Sequence, residues 1–336
     1  MKPTLTLISA LLLVPLAAHS ADNTRSEALD RQWVALGETG KLEYKTTPKG
    51  ERIMDFSRAG YMGGGVALPT LPVKKEVAPS GGDDTAAIQA AIGEVSALPL
   101  VNGFRGAVLL KPRTYRCSKE IRLTQDGVVL RGSGSGKDGR TLIEMTGEPH
   151  TAFIIEGAEV SFPKETPANT YPIADAYVPA GTLTLSVKDA KRLAAGDAIR
   201  IRWARTAKWI EFMGMADLVR KRKGQPDKPQ TWMKAGTEVT IHRSIRSIEG
   251  NRLTLDVPLT DTIDAQFLDK EPAVVIKTPA IKRLSQCGIE SLQIVSPPHS
   301  GTLKAGKNIS VALKGDSEDC WVKDIVMRET LNNVQV

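Results

Sequence analysis

Cysteine is scarce in this chain, and its three copies lie far apart at Cys117, Cys287 and Cys320. None of them has the CxxC spacing typical of a cysteine metal site. Buried thiols are the preferred interpretation, with a single bridge in an oxidising compartment as the alternative. An odd and scattered set therefore indicates no disulfide framework.

Long apolar runs are also absent, except at the amino terminus. The chain starts Met1-Lys2, continues with an apolar stretch from Leu5 to Leu16, and reaches the small residues before Ser20. This pattern predicts a secretory signal peptide over residues 1–20, with cleavage after Ser20. A membrane anchor needs about 20 uninterrupted apolar residues, and no later stretch has them. We therefore expect an exported protein, periplasmic or secreted, without an integral membrane segment.

Positive charge is unevenly distributed. The whole chain has 45 basic and 38 acidic residues, whereas residues 200–246 alone hold twelve basic and four acidic ones. A basic patch favours an anionic partner, and for an exported protein acidic polysaccharide is the leading candidate. Export argues against nucleic acid. The sequence leaves the oligomeric state open.

The chain is organised around residues 81–134. Ile88, Ala91, Ile92 and Val95 fall on one stripe of a helix, and a carboxylate of Asp83 or Asp84 can accept the free N–H groups of its first turn. Short apolar strands follow at intervals of about ten residues and are broken by Gly and Pro. A capping helix followed by evenly spaced strands predicts a solenoid of stacked coils.

This stretch resembles the amino-terminal segment of the pectate-lyase-like right-handed β-helix superfamily, over about residues 73–145. Members include rhamnogalacturonase-like and β-1,3-glucanase-like enzymes, polysaccharide lyases and phage tailspikes. The resemblance implies a mostly β right-handed parallel β-helix (a pectin-lyase-like solenoid), and it is specific for fold but poor for chemistry. It is carried by Gly82-Asp83-Asp84-Thr85, Ala87-Ile88-Gln89-Ala90-Ala91-Ile92, Val108-Leu109-Leu110, Thr114-Tyr115 and Val129-Leu130-Arg131-Gly132-Ser133-Gly134.

Changes in the sequence pattern divide the chain into five parts. After the signal peptide come a lead-in over residues 21–72 and the capping helix with the first coils over 73–172. Residues 173–270 contain strands of period-two alternation, which predict an inserted antiparallel β module. Short apolar strands spaced as in stacked coils resume over residues 271–336, the first at 273–277. The sequence ends within a predicted coil, which suggests a truncated longer β-helix.

Two local features carry further expectations. The glycine cluster at 60–65 predicts a turn that closes the end of the solenoid, with a sugar subsite lined by Asp55 and Tyr61 as the alternative. Residues 208–219 have an apolar stripe that predicts a helix, with Gly224 as its carboxyl-terminal cap.

The best signal for a binding site lies in the module. Aromatic faces stack on sugar rings, and guanidinium groups hold carboxylates or sulfates by two-point contacts. The preferred interpretation is that the tryptophans form the module core and the charges a solvated face, with substrate binding as the alternative. The predicted substrate-binding residues are Trp203, Trp209, Trp232, Arg200, Arg202 and Arg243.

Catalytic residues are harder to place. Elimination from a uronate needs a base and a cation, and the base candidates are His242, His299 and Tyr171, besides the Lys and Arg residues near the stack. Hydrolysis needs two carboxylates on either side of the bond, which the adjacent Asp83 and Asp84 do not provide. No cofactor is expected. A Ca²⁺ site is the alternative to a solvated acidic turn at Asp316, Glu318 and Asp319.

The sequence therefore favours an exported carbohydrate-active protein, a polysaccharide lyase or glycoside hydrolase that acts on acidic polysaccharide. The alternative is a non-catalytic polysaccharide-binding or surface-structural β-helix. A tailspike-like role is a third reading, which the predicted signal peptide disfavours.

Overall fold

The computed structural model describes residues 32–159, 161–230, 232–269, 271–298 and 307–336. The predicted signal peptide and His299 lie outside the described residues. The helices are α1 (Thr85–Ser96) and α2 (Ala207–Phe212), with 3₁₀ turns at Phe56–Arg58, Tyr61–Gly63 and Ala265–Phe267. The strands, in chain order, are β1 Val34–Leu36, β2 Leu42–Tyr44, β3 Val73–Val77, β4 Gly106–Leu110, β5 Arg113–Cys117, β6 Ile121–Leu123, β7 Val128–Arg131, β8 Thr141–Met145, β9 Thr151–Glu156, β10 Thr170–Pro172, β11 Tyr177–Val178, β12 Thr184–Ser186, β13 Ala198–Arg205, β14 Val219–Arg220, β15 Lys228–Pro229, β16 Thr237–Glu249, β17 Arg252–Leu255, β18 Ile263–Asp264, β19 Val274–Lys277, β20 Leu284–Ser285, β21 Gly288–Val295, β22 Ile309–Lys314, β23 Ser317–Glu318, β24 Trp321–Arg328 and β25 Asn332–Gln335.

The described chain forms two compact units. The antiparallel unit consists of residues 32–55 and 166–277, and the parallel unit consists of residues 56–165 and 278–336. The antiparallel unit thus extends a few residues beyond the module expected at 173–270, and it also takes in part of the expected lead-in. Each unit has its own apolar core.

Three ladders of parallel strands make up most of the parallel unit, and the short strands β20 and β23 pair in a further one. The first joins β3, β4, β7 and the first half of β21, and the second joins β5, β8 and the second half of β21. The third joins β6, β9, β22 and β25. Strand β24 pairs with β21 along both halves, and each of these two strands bends at a residue of positive φ, Ser291 (56°) and Asp324 (54°). Successive stretches of chain therefore lie on one another, strand on strand.

Helix α1 forms where its sequence pattern predicts it. All four residues of the predicted stripe are buried, namely Ile88, Ala91, Ile92 and Val95. They pack in one core with apolar side chains from all three ladders, such as Leu110, Ile121 and Ile143. Burial of such side chains contributes about 1.5–3 kcal/mol each, so the helix is held by tertiary packing rather than by its own propensity.

The two adjacent aspartates before α1 have separate structural tasks. Asp83 Oδ1 accepts hydrogen bonds from the backbone N–H of Thr85 (3.0 Å) and from its hydroxyl (2.6 Å), and Oδ2 accepts from the Ser118 hydroxyl. These bonds, led by that from Ser118, lower the pKa of Asp83 to about 2. Asp84 is 1% exposed and accepts from the backbone N–H of Ser80 (2.7 Å) and of Arg116 (3.2 Å). The pair therefore fixes the helix to the following coil.

The antiparallel unit centres on one six-stranded sheet in the order β10-β19-β13-β16-β17-β12, with every pairing antiparallel. Four of these strands lie in the segments where alternation predicts them. The assignment of residues 273–277 to a coil was wrong, because β19 pairs antiparallel with β13 and β10. Val274, Val275 and Ile276 are all buried, so this strand reads as a continuous apolar run, as a coil strand does.

The helix predicted over residues 208–219 is also shorter than expected. It ends at Phe212, and Gly214 adopts a left-handed φ of 64° that breaks it. The basic segment that follows is a hairpin in which β14 pairs with β15. Gly224 lies in the turn of this hairpin rather than at a helix end.

In the glycine-rich lead-in, Tyr61 packs against residues of the parallel unit. The Tyr61 ring meets the Trp321 ring edge-on, with centroids 5.5 Å apart, and its hydroxyl donates to Gln286 Oε1 at 2.5 Å. Asp55 accepts a hydrogen bond from the Tyr44 hydroxyl at 3.4 Å. Tyr61 thus covers part of the parallel sheet, as expected for a segment that closes a stack.

Candidate functional site

A cavity of about 360 Å³ lies within the antiparallel unit. This volume falls within the range of small-molecule sites, about 300–1,000 Å³. We call it the aromatic cavity. Its aromatic wall is Tyr177, Trp203, Trp209, Phe212 and Phe267, and its charged groups are Lys49, Glu51, Arg205, Asp261 and Asp264.

The turn from β13 into α2 places the first part of this wall. Thr206 has an extended backbone, and its hydroxyl oxygen accepts from the backbone N–H of Trp209 at 3.3 Å, which caps the helix. Trp209, Phe212 and Met213 then follow at helical spacing on one face. The capped turn therefore presents its large side chains to the cavity.

A second short turn completes the aromatic wall. Asp264 begins the 3₁₀ turn by accepting from the backbone N–H of Gln266 at 3.0 Å. The Thr206 hydroxyl donates to the Phe267 carbonyl at 2.5 Å, and the rings of Phe212 and Phe267 lie 4.6 Å apart. The two turns are thus tied to each other by a hydrogen bond and by ring packing.

Arg205 lies between two indole rings. Its guanidinium carbon is 4.1 Å from the ring centroid of Trp209 and 5.4 Å from that of Trp203, and the group forms an ion pair with Asp261. The Arg205 side chain is only 6% exposed, whereas that of Asp261 is 41% exposed. A cation held on aromatic faces and neutralised from one side is a rigid part of the wall.

Two further charged residues of the cavity, Glu51 and Lys49, come from a distant part of the chain. The Tyr177 hydroxyl donates a hydrogen bond to Glu51, and the Lys49 ammonium lies 5.0 Å from the Tyr177 ring centroid. Glu51 also accepts a hydrogen bond from the Thr47 hydroxyl. The segment before residue 55 therefore supplies both an acid and a base to the cavity.

Two buried donors on the cavity wall lack a hydrogen-bond partner among the described residues. They are the indole Nε1 of Trp203 and the Nε of Arg205. A buried donor without a partner costs about 1–3 kcal/mol, and native proteins rarely leave one without a reason. Both groups belong to residues that line the cavity, but the two nitrogen atoms are themselves covered, so a ligand in the cavity reaches them only if side chains shift.

The structure separates the three tryptophans predicted to bind substrate. Trp203 is 2% exposed and packs in the core of the antiparallel unit, so it offers no open face for stacking. Trp209 is half-buried and lines the aromatic cavity. Trp232 is 72% exposed in the segment between β15 and β16.

The three predicted arginines are largely engaged by the protein itself. Arg202 is paired through Nη1 with Glu238 (3.3 Å) and Glu271 (3.6 Å). Arg243 donates from Nε to the Val257 carbonyl (2.9 Å) and from Nη2 to the Pro258 carbonyl (2.6 Å). Burial lowers the pKa of Arg243, against the opposing effect of Asp256.

Arg200 lies on β13 opposite His242 on β16. It occupies the same face of β13 as Arg202, as their alternation predicts. Its partner His242, a candidate base, is exposed on that strand. Tyr171, another candidate, is 4% exposed in the core, with Arg192 located 5.6 Å from its ring centroid. Neither His242 nor Tyr171 is among the residues that line the aromatic cavity.

Much of the predicted basic patch is concentrated on the hairpin of β14 and β15. Its exposed cations include Arg220, Arg222 and Lys228, which surround a hollow of about 140 Å³ together with Gln225 and Pro226. We call this element the basic hairpin. The aromatic cavity itself holds three carboxylates and two cations, so the two features differ in charge.

The acidic turn at 316–319 is occupied by protein groups. Arg283 contacts Asp316 (3.8 Å) and Glu318 (3.4 Å), and Asp319 accepts from the backbone N–H of Met62 at 2.6 Å. Within the described ranges no three His, Cys, Asp or Glu side chains are grouped so that they could hold a metal ion. No helix among the described residues is long and apolar enough to span a bilayer.

Sequence reasoning missed most of this cavity, since only Trp203 and Trp209 were predicted as site residues. Glu51 and Tyr177 are 126 residues apart in the chain, and no local pattern links them. Asp261 and Asp264 stand in a short segment without a recognisable motif. The one available signal was the cluster of aromatic residues around Trp209, which does lie at the cavity.

No family model matches the chain, and no curated protein matches it. Among solved structures, one match is the Gp54 tailspike of Acinetobacter baumannii bacteriophage AP22, in complex with A. baumannii capsular saccharide. It is 14% identical over 74% of this chain and 34% of the tailspike, with a TM-score of 0.35.

Two further matches are tailspikes of Pseudomonas phages. The tailspike gp49 of phage LKA1 is 16% identical over 68% of this chain and 33% of its own, with a TM-score of 0.31. The tailspike gp61 of phage phi297 is 15% identical over 71% and 31%, with a TM-score of 0.28. The chain spans about a third of each tailspike. Similarities this weak establish neither a family nor an activity.

Proposed function

We propose that the chain is an exported carbohydrate-active protein that acts on acidic polysaccharide, as a polysaccharide lyase or a glycoside hydrolase. Saccharide is held in the aromatic cavity, and the parallel unit is a right-handed parallel β-helix that carries the antiparallel unit as an insertion between its coils. The observation that carries this proposal is the half-buried ring of Trp209 on an aromatic-walled cavity of about 360 Å³.

The β-helix part is supported by the three parallel ladders. Along the chain, β4, β5 and β6 each pair with the strand three places later, β7, β8 and β9. The next stretch then pairs on top in the same order through the two halves of β21 and through β22. This is the pairing order of a three-faced coil.

Saccharide fits the chemistry of the cavity walls. The apolar face of a sugar ring stacks on aromatic rings, and its hydroxyl groups both donate and accept hydrogen bonds. Trp209, half-buried beside Arg205, is the ring available for stacking. Sugar hydroxyl groups would donate to Asp261, whose side chain lines the cavity and is 41% exposed.

The acidic character of the substrate is supported by the basic hairpin rather than by the cavity. Arg220, Arg222 and Lys228 are exposed around one hollow. Carboxylates or sulfates along a polysaccharide are the anions that such a cluster attracts at a distance. We therefore place the anionic part of the interaction on this hairpin.

The cavity holds the groups that either reaction needs. Hydrolysis requires an acid and a second carboxylate, and Glu51, Asp261 and Asp264 are available. Elimination requires a base and a cation near the uronate carboxylate, and Tyr177 with Lys49 or Arg205 would serve. Glu51, as acceptor of the Tyr177 proton, is the carboxylate best placed for proton transfer.

A non-catalytic binding protein is the second candidate, and one observation favours it. Each cavity carboxylate is already engaged: Glu51 by Tyr177, Asp261 by Arg205, and Asp264 by the Gln266 backbone. Carboxylates that serve as structural acceptors hold a cavity in shape without reacting.

The test incubates the protein with polygalacturonate, alginate and glycosaminoglycans and records two products. A rise in ultraviolet absorbance from unsaturated uronate means elimination, and new reducing ends without it mean hydrolysis. Glu51→Gln should abolish either product, whereas Glu38→Gln, a surface change in the same segment, should not. Binding without product would establish the non-catalytic candidate, and neither binding nor product would overturn both.

A further inference from the structure

Two successive coils of the parallel unit repeat with a constant offset. Leu284 pairs with Ser317 and Ser285 with Glu318, and the pairing resumes from Gly288 with Trp321 to Val295 with Arg328. In every pair the partner stands 33 positions later in the chain. The two coils are thus in one register on both sides of a short gap at residues 286–287.

Cys287 and Cys320 fall in this gap at the same offset. The residue before each has the same left-handed backbone, with φ of 61° at Gln286 and 50° at Asp319. The Trp321 N–H donates to the Cys287 carbonyl at 2.9 Å, so the two chains remain paired through the gap. The two cysteines therefore lie directly one above the other.

This placement suits a disulfide. Neighbouring parallel strands lie about 4.8 Å apart, and a disulfide spans Cα atoms about 4.4–6.8 Å apart. Residues paired in register on parallel strands point their side chains to the same side. The two thiols are also close enough for each to shift the pKa of the other.

The two sulfurs differ in exposure, which sets an order of reaction. Cys287 is fully buried and its thiol donates to the Gln125 carbonyl at 3.2 Å, whereas Cys320 is partly exposed. Interaction with the Cys287 thiol lowers the pKa of Cys320, and the same interaction together with burial raises the pKa of Cys287. Cys320 is therefore the thiolate that an external oxidant meets first.

We propose that Cys287 and Cys320 form a disulfide that ties these two coils, by exchange with a low-molecular-weight disulfide such as oxidised glutathione. The Cys320 thiolate attacks one glutathione sulfur, the glutathione S–S bond breaks, and one glutathione thiol leaves with the proton that Cys320 lost. Cys287 then loses its proton and attacks the Cys320 sulfur, and the second glutathione leaves as a thiol. The cysteines lose two electrons and two protons, which the two glutathione thiols carry away.

The third cysteine provides the internal control. Cys117 lies at the end of β5, in a different ladder, and pairs in register with Met145 rather than with a cysteine. Burial, followed by the nearby Asp84 and Asp83 charges, raises the pKa of its thiol to about 12. It should stay reduced under conditions that join the other two.

The experiment treats the reduced whole protein with oxidised glutathione, alkylates the remaining thiols after denaturation, and maps tryptic peptides by mass spectrometry. We expect one cross-linked species that joins the Cys287 and Cys320 peptides, alkylated Cys117, and a melting temperature raised on the order of 5 °C. Dithiothreitol should reverse both changes.

Variants separate the pair from other oxidation products. Cys117→Ser should keep the cross-link and the melting shift, and Cys320→Ser should lose both. If Cys320→Ser does not fold, the peptide map of the wild-type protein decides alone. Three alkylated cysteines, a glutathione adduct that does not resolve, or a bridge to Cys117 would each overturn the proposal.

Discussion

The guanidinium carbon of Arg205 lies 4.1 Å from the ring centroid of Trp209, and the same group is ion-paired with Asp261. This relationship joins strand β13, helix α2 and the segment before β18 in one wall of the aromatic cavity. It also buries Arg205, one of the twelve basic residues of the 200–246 stretch. The cavity wall is therefore held by a cation whose charge is already compensated.

Removal of that compensation should destabilise the antiparallel unit. Asp261→Ala leaves the Arg205 side chain, 6% exposed in the wild type, without its acid. We expect this to cost about 1–3 kcal/mol, below the full value for a buried pair because Asp261 is partly solvated. Urea denaturation measures the loss. Glu318→Ala, which breaks the exposed pair with Arg283, should change the stability by less than about 1 kcal/mol. Equal losses in the two variants would contradict this description of the wall.

The stacking of coils can be tested at Gly288. A Cβ at this position would overlap the indole of Trp321, its partner in the next coil. Gly288→Ala should therefore lower the free energy of unfolding by about 1–3 kcal/mol through overpacking. Gly136→Ala is the matched control, because a Cβ there meets no atom within 4 Å, and it should be nearly neutral. A neutral Gly288→Ala would mean that the two coils do not lie as closely as described.

Asp83 should contribute to the fall in the free energy of unfolding at acidic pH. Hydrogen bonds from Ser118 and Thr85 lower its folded pKa to about 2, below the unfolded value of about 3.9. A lowered folded pKa stabilises the protein above the unfolded pKa, and this contribution disappears as the pH falls from about 4 towards 2.

Asp83→Asn should thus be less stable than the wild type near pH 6, with a difference that shrinks to nothing near pH 2. Denaturation curves at half-unit pH steps measure this difference. Asp138→Asn makes the same charge change at an exposed loop position and should show no such trend. A constant gap between Asp83→Asn and the wild type at all pH values would refute the linkage.

The sequence was informative where a pattern is local. The α1 stripe from Ile88 to Val95 and the alternation of β13 depend on spacing alone, and the structure confirms both. Spacing could not show which face of β13 meets a cavity, and so it could not show that Trp203 is buried while Trp209 is accessible. Spacing also could not distinguish an antiparallel strand that is buried on both faces, such as β19, from a strand of a β-helix coil, because both are continuous apolar runs.

The predicted helix over 208–219 failed for a different reason. Its apolar stripe is real, but Gly214 takes a left-handed conformation that ends the helix, and tertiary context decides such positions. The pairing of Glu51 with Tyr177 needs two distant segments to meet, which no window of sequence contains. The candidate site was therefore predicted only in its aromatic part.

The role of the Trp203 donor can be separated from its packing. Trp203→Phe keeps an aromatic core residue but removes the indole N–H that has no partner within the described part of the chain. Loss of an unsatisfied donor offsets part of the lost packing, so the stability should change by less than about 2 kcal/mol. Saccharide affinity should stay within about twofold of the wild type, because the indole nitrogen is itself covered and loses no bond to a ligand, which would contribute about 1 kcal/mol. Calorimetric titration and urea denaturation of the same sample measure the two quantities, and a several-fold loss of affinity would contradict the description of Trp203 as a core residue.

The most direct test of the account is a calorimetric titration of acidic oligosaccharides, from polygalacturonate and alginate, into the wild type, Trp209→Ala and Trp232→Ala. Trp209 lines the aromatic cavity, whereas Trp232 is exposed elsewhere in the same unit. If the cavity holds the sugar, Trp209→Ala weakens binding about tenfold or more, as expected for loss of an aromatic face worth about 1–3 kcal/mol, and Trp232→Ala binds as the wild type does. Wild-type affinity in Trp209→Ala, or a loss confined to Trp232→Ala, would contradict the assignment.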